Sequence, residues 1–473
     1  MGPRKNTDQP VPATNPDGVV VNGALLRQAL VWMVDGRIVD HLKLHGNTKW
    51  LPVDLVVLAV LWVWSDGATL TAAFAEAARS AAGLFGRVAV RSYQGLTAAL
   101  VRWTAPLLAL LWQRLHQRTQ ECGRGHWRHG RWLALAVDGS RVSAPRTKAN
   151  EKAFCAPHYG SGKTARYRRK KRQGLRRRRR RAEPVKPQVW VTLLWHMTMR
   201  LPWSWKTGPS TASERDHFRA MLQEQRFPAR TLFCADAGFI GYDLWSAIVA
   251  AGASFLIRVG ANVTLLRRLG YVREHDGIVY LWPDKAAKKR LPPLVLRLFH
   301  FRVGRRRMSP VSNVLSDRDL SVAQARELYK LRWGVELQFR ALKQTFGRRK
   351  LRSKTPERAL AELDWSLLGL AMIQLFAVKE RIELGEPPRS CSVALAIRLI
   401  REMVDRRQEP CEAGAELGAC LRRATVDTYK RKGSKNARYR PSYKDKPAAG
   451  RPRVLKAQRK HMTFLQNYLA RAA

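Results

Sequence analysis

Two short apolar runs, each followed by an aspartate, constrain the fold of this chain more than any other feature. In RWLALAVDGS the apolar run is followed by Asp138, and in ARTLFCADAGF the apolar run is followed by Asp236. Runs of this kind, closed by an acid and a glycine, are typical of buried strands. If the two strands are neighbours in one sheet, both carboxylates emerge at the same edge. The alternative is that each aspartate only begins a turn, since Asp-Gly is a common turn pair.

The segments around these runs alternate between strand and helix patterns, which predicts a mixed α/β core over residues 129–262. PQVWVTLLWHMTMRLPWSWKTGP reads as two strands with a turn, and SERDHFRAMLQEQ as a short helix capped by Ser213. Residues 263–316 alternate as strands do and predict a β-rich insertion. The helical pattern then returns over residues 317–400, which predicts a second part of the core.

The flanking segments differ from this core in composition. Residues 1–18 are polar and Pro-rich, and we expect a flexible leader. Residues 19–128 carry Ala and Leu at helical spacing and predict an α-helical N-terminal domain. Residues 401–473 form a basic C-terminal region whose last part has aromatics between cations, a mixture that can contact nucleic acid.

The charge of the chain indicates the kind of partner. Of 473 residues, 87 are Lys or Arg and 36 are Asp or Glu, giving a formal net charge of +51. A chain this basic needs a polyanion close by, and nucleic acid is the obvious one, so an ordinary small-metabolite enzyme is excluded as the default. The basic loop 141–186 contains 13 cations and no acid between residues 163 and 181. That run either contacts phosphates or is a disordered loop whose charge is tolerated.

Other patterns exclude several classes of protein. None of the six cysteines forms a C-x-x-C pair, so the sequence contains no zinc ribbon or thioredoxin-like motif. The beginning of the sequence has no signal peptide pattern. The longest apolar stretches, Leu55–Trp64 and Trp365–Val378, fall short of the roughly 20 residues that a membrane span needs. We therefore expect a cytoplasmic, nucleoid-associated protein without a membrane partner.

The helical segment that begins at Tyr329 carries the most informative polar pattern. At about 100° per residue, four polar side chains fall in one sector of roughly 60°, namely Tyr329, Arg332, Glu336 and Lys343. A neighbouring stripe is apolar. A carboxylate flanked by Arg, Lys and Tyr suits a metal-dependent phosphodiester site, because Glu can hold a divalent cation while the others clamp phosphates. The alternative is a solvated amphipathic helix with an internal Arg–Glu pair.

One carboxylate does not suffice for such chemistry. Two-metal phosphoryl transfer needs acids on both sides of a pair of ions about 4 Å apart. Asp138 and Asp236 are the two candidates, and a helix packed on their sheet would bring Glu336 over them.

The polar pattern and the two aspartate runs resemble the motifs of a known family. The pattern Tyr-x2-Arg-x3-Glu-x6-Lys, starting at Tyr329, resembles the signature of bacterial insertion-sequence transposases of the DDE class, in the YREK or insertion-sequence-four family. VDGS at 137–140 and ADAGF at 235–239 resemble the two Asp motifs of that family, and GPSTASERDHF at 208–218 resembles its linking segment. The resemblance covers roughly residues 131–380.

The resemblance implies an RNase H-like catalytic core interrupted by the β-rich insertion. By position, it implies a metal-binding catalytic triad that holds two Mg²⁺ or Mn²⁺ ions, namely Asp138, Asp236 and Glu336. The other members of the pattern would contact DNA phosphates at the element end, namely Tyr329, Arg332 and Lys343. An aromatic of the insertion can receive a flipped base in this family, and Trp282 is a candidate for that role.

The resemblance also implies a reaction and its partners. Hydrolysis at the element end would free a 3′-OH that attacks target DNA, and the joining of two ends implies a homodimer on DNA. The N-terminal helices would bind the ends. Two other functions remain open: a decayed or domesticated transposase that only binds DNA, and an RNase H-like nuclease or RNA-binding protein.

Overall fold

The computed structural model describes residues 21–155, 186–409, 417–426 and 450–472, apart from positions 35, 40, 41, 43–47, 49, 87, 89, 124, 276, 305 and 408. The leader 1–18, the basic run 163–181 and the basic stretch 427–449 lie outside the described residues.

The N-terminal segment is helical, as its Ala- and Leu-rich pattern predicts. Thr69 and Ser92 begin two of its helices by accepting hydrogen bonds from the backbone N–H groups of Ala72 and Gly95. The helices of this segment are Asn22–Met33, Gly36–Val39, Pro52–Trp64, Leu70–Phe85 and Tyr93–Cys122.

A long helix, Pro356–Glu383, lies at the centre of the molecule and packs on Pro52–Trp64 and Tyr93–Cys122. By length and composition alone, it and Tyr93–Cys122 could each cross a membrane, so the apolar stretch at Trp365–Val378 belongs to a longer helix than expected. The apolar part of Pro356–Glu383 is almost entirely covered by other parts of the protein, as in the core helix of a folded domain. The absence of a membrane partner stays a prediction.

Among the described residues, ten strands form one sheet, in the order β12-β6-β7-β8-β11-β5-β4-β1-β2-β3, and β9 and β10 pair separately. The bounds of the strands are β1 Leu133–Ser143, β2 Gln188–His196, β3 Leu201–Gly208, β4 Thr231–Ala235, β5 Ser254–Arg258, β6 Thr264–Arg267, β7 Ile278–Leu281, β8 Leu294–Leu298, β9 Phe301–Val303, β10 Arg306–Met308, β11 Pro310–Ser312 and β12 Arg453–Lys456.

The half of the sheet that carries both predicted aspartates is β3-β2-β1-β4-β5. β1 and β2 are antiparallel, as are β2 and β3, whereas β1, β4 and β5 run parallel. β11 pairs antiparallel with β5, so the strands of the β-rich segment extend the same sheet at its other edge. The fold is therefore a mixed α/β architecture with a large central sheet and helices.

Helices cover the sheet and connect its strands. Ser213 caps one of them, as predicted, because its Oγ accepts a hydrogen bond from the backbone N–H of Asp216. Their bounds are Lys148–Phe154, Glu214–Glu224, Tyr242–Ala250, Asp284–Lys288, Val322–Leu331, Gly334–Arg340, Val393–Asp405, Leu417–Leu421 and Arg459–Ala472, with short 3₁₀ helices at Ala237–Phe239 and Pro388–Ser390 and a π-helical turn at Ala341–Thr345.

Residues 450–472, within the basic C-terminal region, are folded against the β-rich segment. β12 pairs parallel with β6, and the helix Arg459–Ala472 places Phe464 edge-on to Trp282, with ring centroids 6.3 Å apart. Lys460 Nζ lies 3.1 Å from Asp284 Oδ2. This part of the region is thus a structural element of the sheet.

Candidate active site

The structure places Asp138 and Asp236 side by side. Ala136 and Cys234, each two residues earlier, are register partners on the parallel strands β1 and β4. The two aspartates therefore lie equally far beyond the last register pair of two adjacent strands, which are about 4.8 Å apart in a sheet. Their side chains are expected on the same face.

Local hydrogen bonds orient both carboxylates. The backbone N–H of Gly139 donates to Asp138 Oδ1 at 2.9 Å, and that of Gly238 donates to Asp236 Oδ1 at 2.7 Å. Asp236 follows its strand, as predicted. The prediction that the first strand also ends at its aspartate is wrong, since β1 continues to Ser143 because β2 runs alongside it as far as Gln188.

The segment of the Tyr-Arg-Glu-Lys pattern is not one regular helix, contrary to the sequence prediction. The helix tightens after Leu331, where Val335 and Glu336 donate to the carbonyls three residues earlier, and it widens into a π-helical turn at Ala341–Thr345. At the tightened turn the backbone presses on the sheet. A Cβ atom on Gly334 would lie 2.0 Å from Cη2 of the buried Trp195.

The irregular helix separates the four side chains that a regular wheel places in one sector. Tyr329 and Arg332 are only 1% and 4% exposed, whereas Glu336 is exposed and Lys343 is half-buried. The prediction of one exposed polar stripe is therefore wrong for Tyr329 and Arg332, which are buried. The ring of Phe301, 6.3 Å away between centroids, packs on Tyr329. The neighbouring apolar stripe is confirmed, since five of its six residues are buried and only Leu331 is half-buried. The other five are Leu328, Val335, Phe339, Leu342 and Phe346.

Arg332 is a buried cation beside the acids. Its guanidinium lies 4.7 Å from the Trp333 ring centroid and 5.4 Å from that of Tyr329. Its Nε is buried without a hydrogen-bond partner among the described residues. Its charge acts to lower the pKa of Asp138. A buried guanidinium with an open donor can accept an anionic ligand.

Lys343 approaches the site from the end of the same segment. Its Nζ donates a 2.5 Å hydrogen bond to Ser140 Oγ, two residues beyond Asp138 on β1. Burial and the charge of Arg349 lower the pKa of Lys343, while the charge of Asp138 acts in the opposite direction.

The three predicted acids share one electrostatic environment. Burial raises the pKa of Asp138 to about 6, and the charges of Asp236 and Glu336 add to this effect. The hydrogen bond from Gly139 and the charge of Arg332 oppose it. Glu336 thus lies near enough to act on Asp138.

A fourth carboxylate, that of Glu214, lies close to Asp138 and Asp236. This position is not predicted from the sequence. Burial raises the pKa of Glu214 to about 7, and repulsion from Asp138 and Asp236 contributes, while Arg141 acts to lower it. As the first residue of its helix, Glu214 is easily interpreted as an acid that stabilises a helix N-terminus. The available signal was its position inside the GPSTASERDHF segment.

These oxygen donors are the ligand type that hard divalent cations prefer. As the side chains stand, no group of three His, Cys, Asp or Glu residues within the described ranges is close enough to enclose one ion. Asp138 and Asp236 make no ion pair within 4 Å with any described cation, so a bound cation would not have to displace one.

Trp282, the candidate for receiving a flipped base, is enclosed in the structure. It is 3% exposed, and its Nε1 donates to the carbonyl of Leu291 at 2.9 Å. Phe464 packs against its ring, so Trp282 is a core residue here.

Comparisons with known proteins agree with the sequence resemblance. Residues 133–372 match the family described as Transposase DDE domain. The chain is 25% identical over 328 residues to transposase InsG for insertion sequence element IS4 of Escherichia coli, covering 67% of this chain and 66% of InsG. It is 29% identical over 155 residues to the putative transposase y4zB of Sinorhizobium fredii, covering 31% and 43%. The chain thus spans just under two thirds of InsG and less than half of y4zB.

Among solved structures, the cryo-EM structure of a piggyBac transposase synaptic complex with hairpin DNA aligns over 87% of this chain and 84% of that one, with 11% identity and a TM-score of 0.37. The match to the family covers half of the chain, begins in β1 and includes Asp138, Asp236 and Glu336. The chain therefore belongs to the transposase DDE domain family and is similar to insertion-sequence transposases of the IS4 type.

Proposed function

We propose that this protein is a DNA transposase that cleaves the ends of an insertion sequence and transfers the freed strands into target DNA. The observation that carries the proposal is the register of β1 and β4, which aligns Asp138 with Asp236 where the charge of Glu336 also acts. Membership of the transposase DDE domain family and similarity to the transposase of element IS4 support it.

The catalytic core of the proposal is RNase H-like. Three antiparallel strands followed by two parallel ones, in the order β3-β2-β1-β4-β5, support this assignment. Asp138 lies on the first strand in chain order and Asp236 directly follows the fourth, and these two strands are neighbours in space.

DDE transposases generally use divalent metal ions. We propose that Asp138, Asp236 and Glu336 hold two Mg²⁺ or Mn²⁺ ions. The carboxylates fit because they are hard oxygen donors, two of them aligned, with mutual repulsion that a cation would relieve. When bound, such ions activate the attacking oxygen and offset the charge that develops on the phosphate.

The cationic members of the pattern would hold the DNA backbone. The guanidinium of Arg332, with its open Nε, and the ammonium of Lys343 both lie near enough to Asp138 for their charges to interact with it. Both would bind the phosphate next to the scissile bond and fix its orientation. Tyr329 would act from a buried position, with its ring supporting the Arg332 guanidinium.

The partners follow from the reaction. DNA supplies the element ends and the target, and two ends require a homodimer in the DNA complex. We assign end binding to the N-terminal helices and place the protein in the cytoplasm with the nucleoid. The net charge of +51 supports a DNA partner.

The test is cleavage of labelled element-end DNA in Mg²⁺ by the wild type and by Glu336→Gln. We expect the variant to bind DNA as the wild type does and not to cut it. Glu327→Gln, an exposed acid on the preceding helix, is the matched control and should cut normally. Equal cutting by all three proteins would contradict the role of Glu336. Short inverted repeats flanking the coding region would identify the DNA to use.

A further inference from the structure

Glu214, on the helix that follows β3, lies beside Gly139 and Gly238, and the charges of both aspartates act on it. Of its two carboxylate oxygens, Oε1 lies near the Cβ position of residue 139 and Oε2 lies near the Cβ position of residue 238. Gly139 directly follows Asp138, and Gly238 donates the hydrogen bond to Asp236. We infer that Glu214 is a fourth carboxylate of the cation site formed by Asp138, Asp236 and Glu336, an inference that rests on the proposed function.

The absence of a side chain at position 139 is what admits Glu214. A Cβ atom on Gly139 would lie 2.6 Å from Glu214 Oε1 and Cγ and 2.7 Å from its Cδ. Real Cβ atoms essentially never come so close to another heavy atom, so any other residue at this position would push the carboxylate away. The glycine is not required by its backbone, because its φ is not in the left-handed region.

The second glycine leaves room on the other side. A Cβ atom on Gly238 would lie 3.0 Å from Asp236 Oδ1 and 3.9 Å from Glu214 Oε2. The Asp236 and Glu214 oxygens therefore border the same small space above Gly238. This arrangement places Glu214 on the side of the aspartates that is covered by the helix Glu214–Glu224.

Nothing else in the described part of the chain engages the Glu214 carboxylate. It makes no hydrogen bond and no ion pair within 4 Å there, although it is only partly exposed to solvent. Arg141, the cation whose charge acts on Glu214, stacks instead over the Trp190 ring, 4.4 Å from its centroid. A half-buried carboxylate beside two others is costly in its charged form unless a cation compensates the charges, and otherwise it tends to take up a proton.

A purely structural role for Glu214, stabilising the helix N-terminus, is already filled by other residues. Ser213 caps the helix, and Asp216 supplies a second acid in its first turn. Asp216 is exposed, and its charge is not among those that act on Glu214 or Asp138. Asp216→Asn therefore removes the same charge from the same helix without touching the site.

The experiment is calorimetric titration of the full-length protein with Mn²⁺ in the absence of DNA. We expect Glu214→Gln to weaken Mn²⁺ binding about tenfold or more, while Asp216→Asn binds as the wild type does. Gly139→Ala should reproduce the defect although it retains Glu214, because the new methyl group displaces a flexible side chain. Unchanged affinity in Glu214→Gln, or equal losses in Glu214→Gln and Asp216→Asn, would overturn the inference.

Asp138→Asn separates this inference from the proposed function. If Asp138→Asn also leaves Mn²⁺ binding unchanged, the metal site itself is wrong and the proposed function loses its chemistry. If Asp138→Asn abolishes binding while Glu214→Gln does not, only the inference about Glu214 fails. Melting in a chelator provides a second readout: relief of repulsion should raise the melting temperature of Glu214→Gln above that of the wild type, whereas a purely structural role would lower it.

Discussion

Lys343 Nζ donates a 2.5 Å hydrogen bond to Ser140 Oγ and thereby joins the last turn of the Tyr-Arg-Glu-Lys segment to β1, two residues beyond Asp138. The contact links positions 203 residues apart in the chain. It holds an ammonium group near a carboxylate without pairing the two, so the charge is available to a phosphate.

Replacing Lys343 by Gln should weaken binding to element-end DNA and reduce the slope of log affinity against log salt by about 1, because one phosphate contact is lost. Binding titrations over a range of salt concentrations measure the slope. Lys330→Gln, an exposed lysine on the preceding helix, is the control and should change little. If Ser140→Ala causes the same loss as Lys343→Gln, the hydrogen bond matters and the charge does not.

The unusual pKa of Asp138 predicts a pH dependence of stability. Its folded-state pKa is about 6, against 3.8 for an ordinary aspartate, so the folded protein binds the proton more tightly than the unfolded chain does. This stabilisation is complete below pH 4 and is lost as the pH rises through 6. Asp138→Asn, which cannot ionise, should therefore be more stable than the wild type at pH 8 by about 2–3 kcal/mol.

Urea unfolding in a chelator at pH 4 and at pH 8 measures this difference. The advantage of Asp138→Asn should disappear at pH 4, where the wild-type carboxyl is protonated. A variant that is less stable than the wild type at pH 8 would show that the charged form of Asp138 is stabilised in the fold.

The close approach of Gly334 to Trp195 predicts a strong effect of a small substitution. Gly334→Ala would place a methyl group 2.0 Å from a fully buried indole. We expect a loss of about 1–3 kcal/mol of unfolding free energy, together with slower DNA cleavage, because Glu336 lies two residues on. Gly125→Ala, where a Cβ meets no atom within 4 Å, is the control, and equal unfolding midpoints for the two variants would refute the packing argument.

The basic run 163–181 lies outside the described residues, so the prediction that it contacts DNA phosphates rests on the sequence alone. Replacing the six arginines at 176–181 with serine should weaken DNA binding on every sequence and flatten its salt dependence. Affinity measured on element-end and unrelated DNA tests both effects. An unchanged slope would show that the run does not touch phosphate.

Sequence reasoning located the elements that depend on local pattern. The strands before Asp138 and Asp236, the capped helix at Ser213 and the N-terminal helices all occur where the pattern predicts them. Hydrophobic runs and capping residues act over a few positions, so they can be identified without knowing the tertiary structure.

What escaped prediction depends on contacts between distant segments. The tightened turn at Arg332 goes with the packing of Gly334 on Trp195, 139 positions away in the chain, and a helical wheel cannot include such a contact. The position of Glu214 also depends on such a contact, because Glu214 comes near Asp138 only when the helix Glu214–Glu224 packs on the sheet. The enclosure of Trp282 depends on a helix that begins at Arg459.

The pairing of β12 with β6 has a consequence for biosynthesis. β6 is made almost 190 residues before its parallel neighbour, so during translation it forms the outer edge of the growing sheet. Unpaired edge strands are sites of wrong association. The nascent protein must therefore keep this edge from aggregating until residues 453–456 have left the ribosome, and an interrupted translation product would retain the exposed edge permanently.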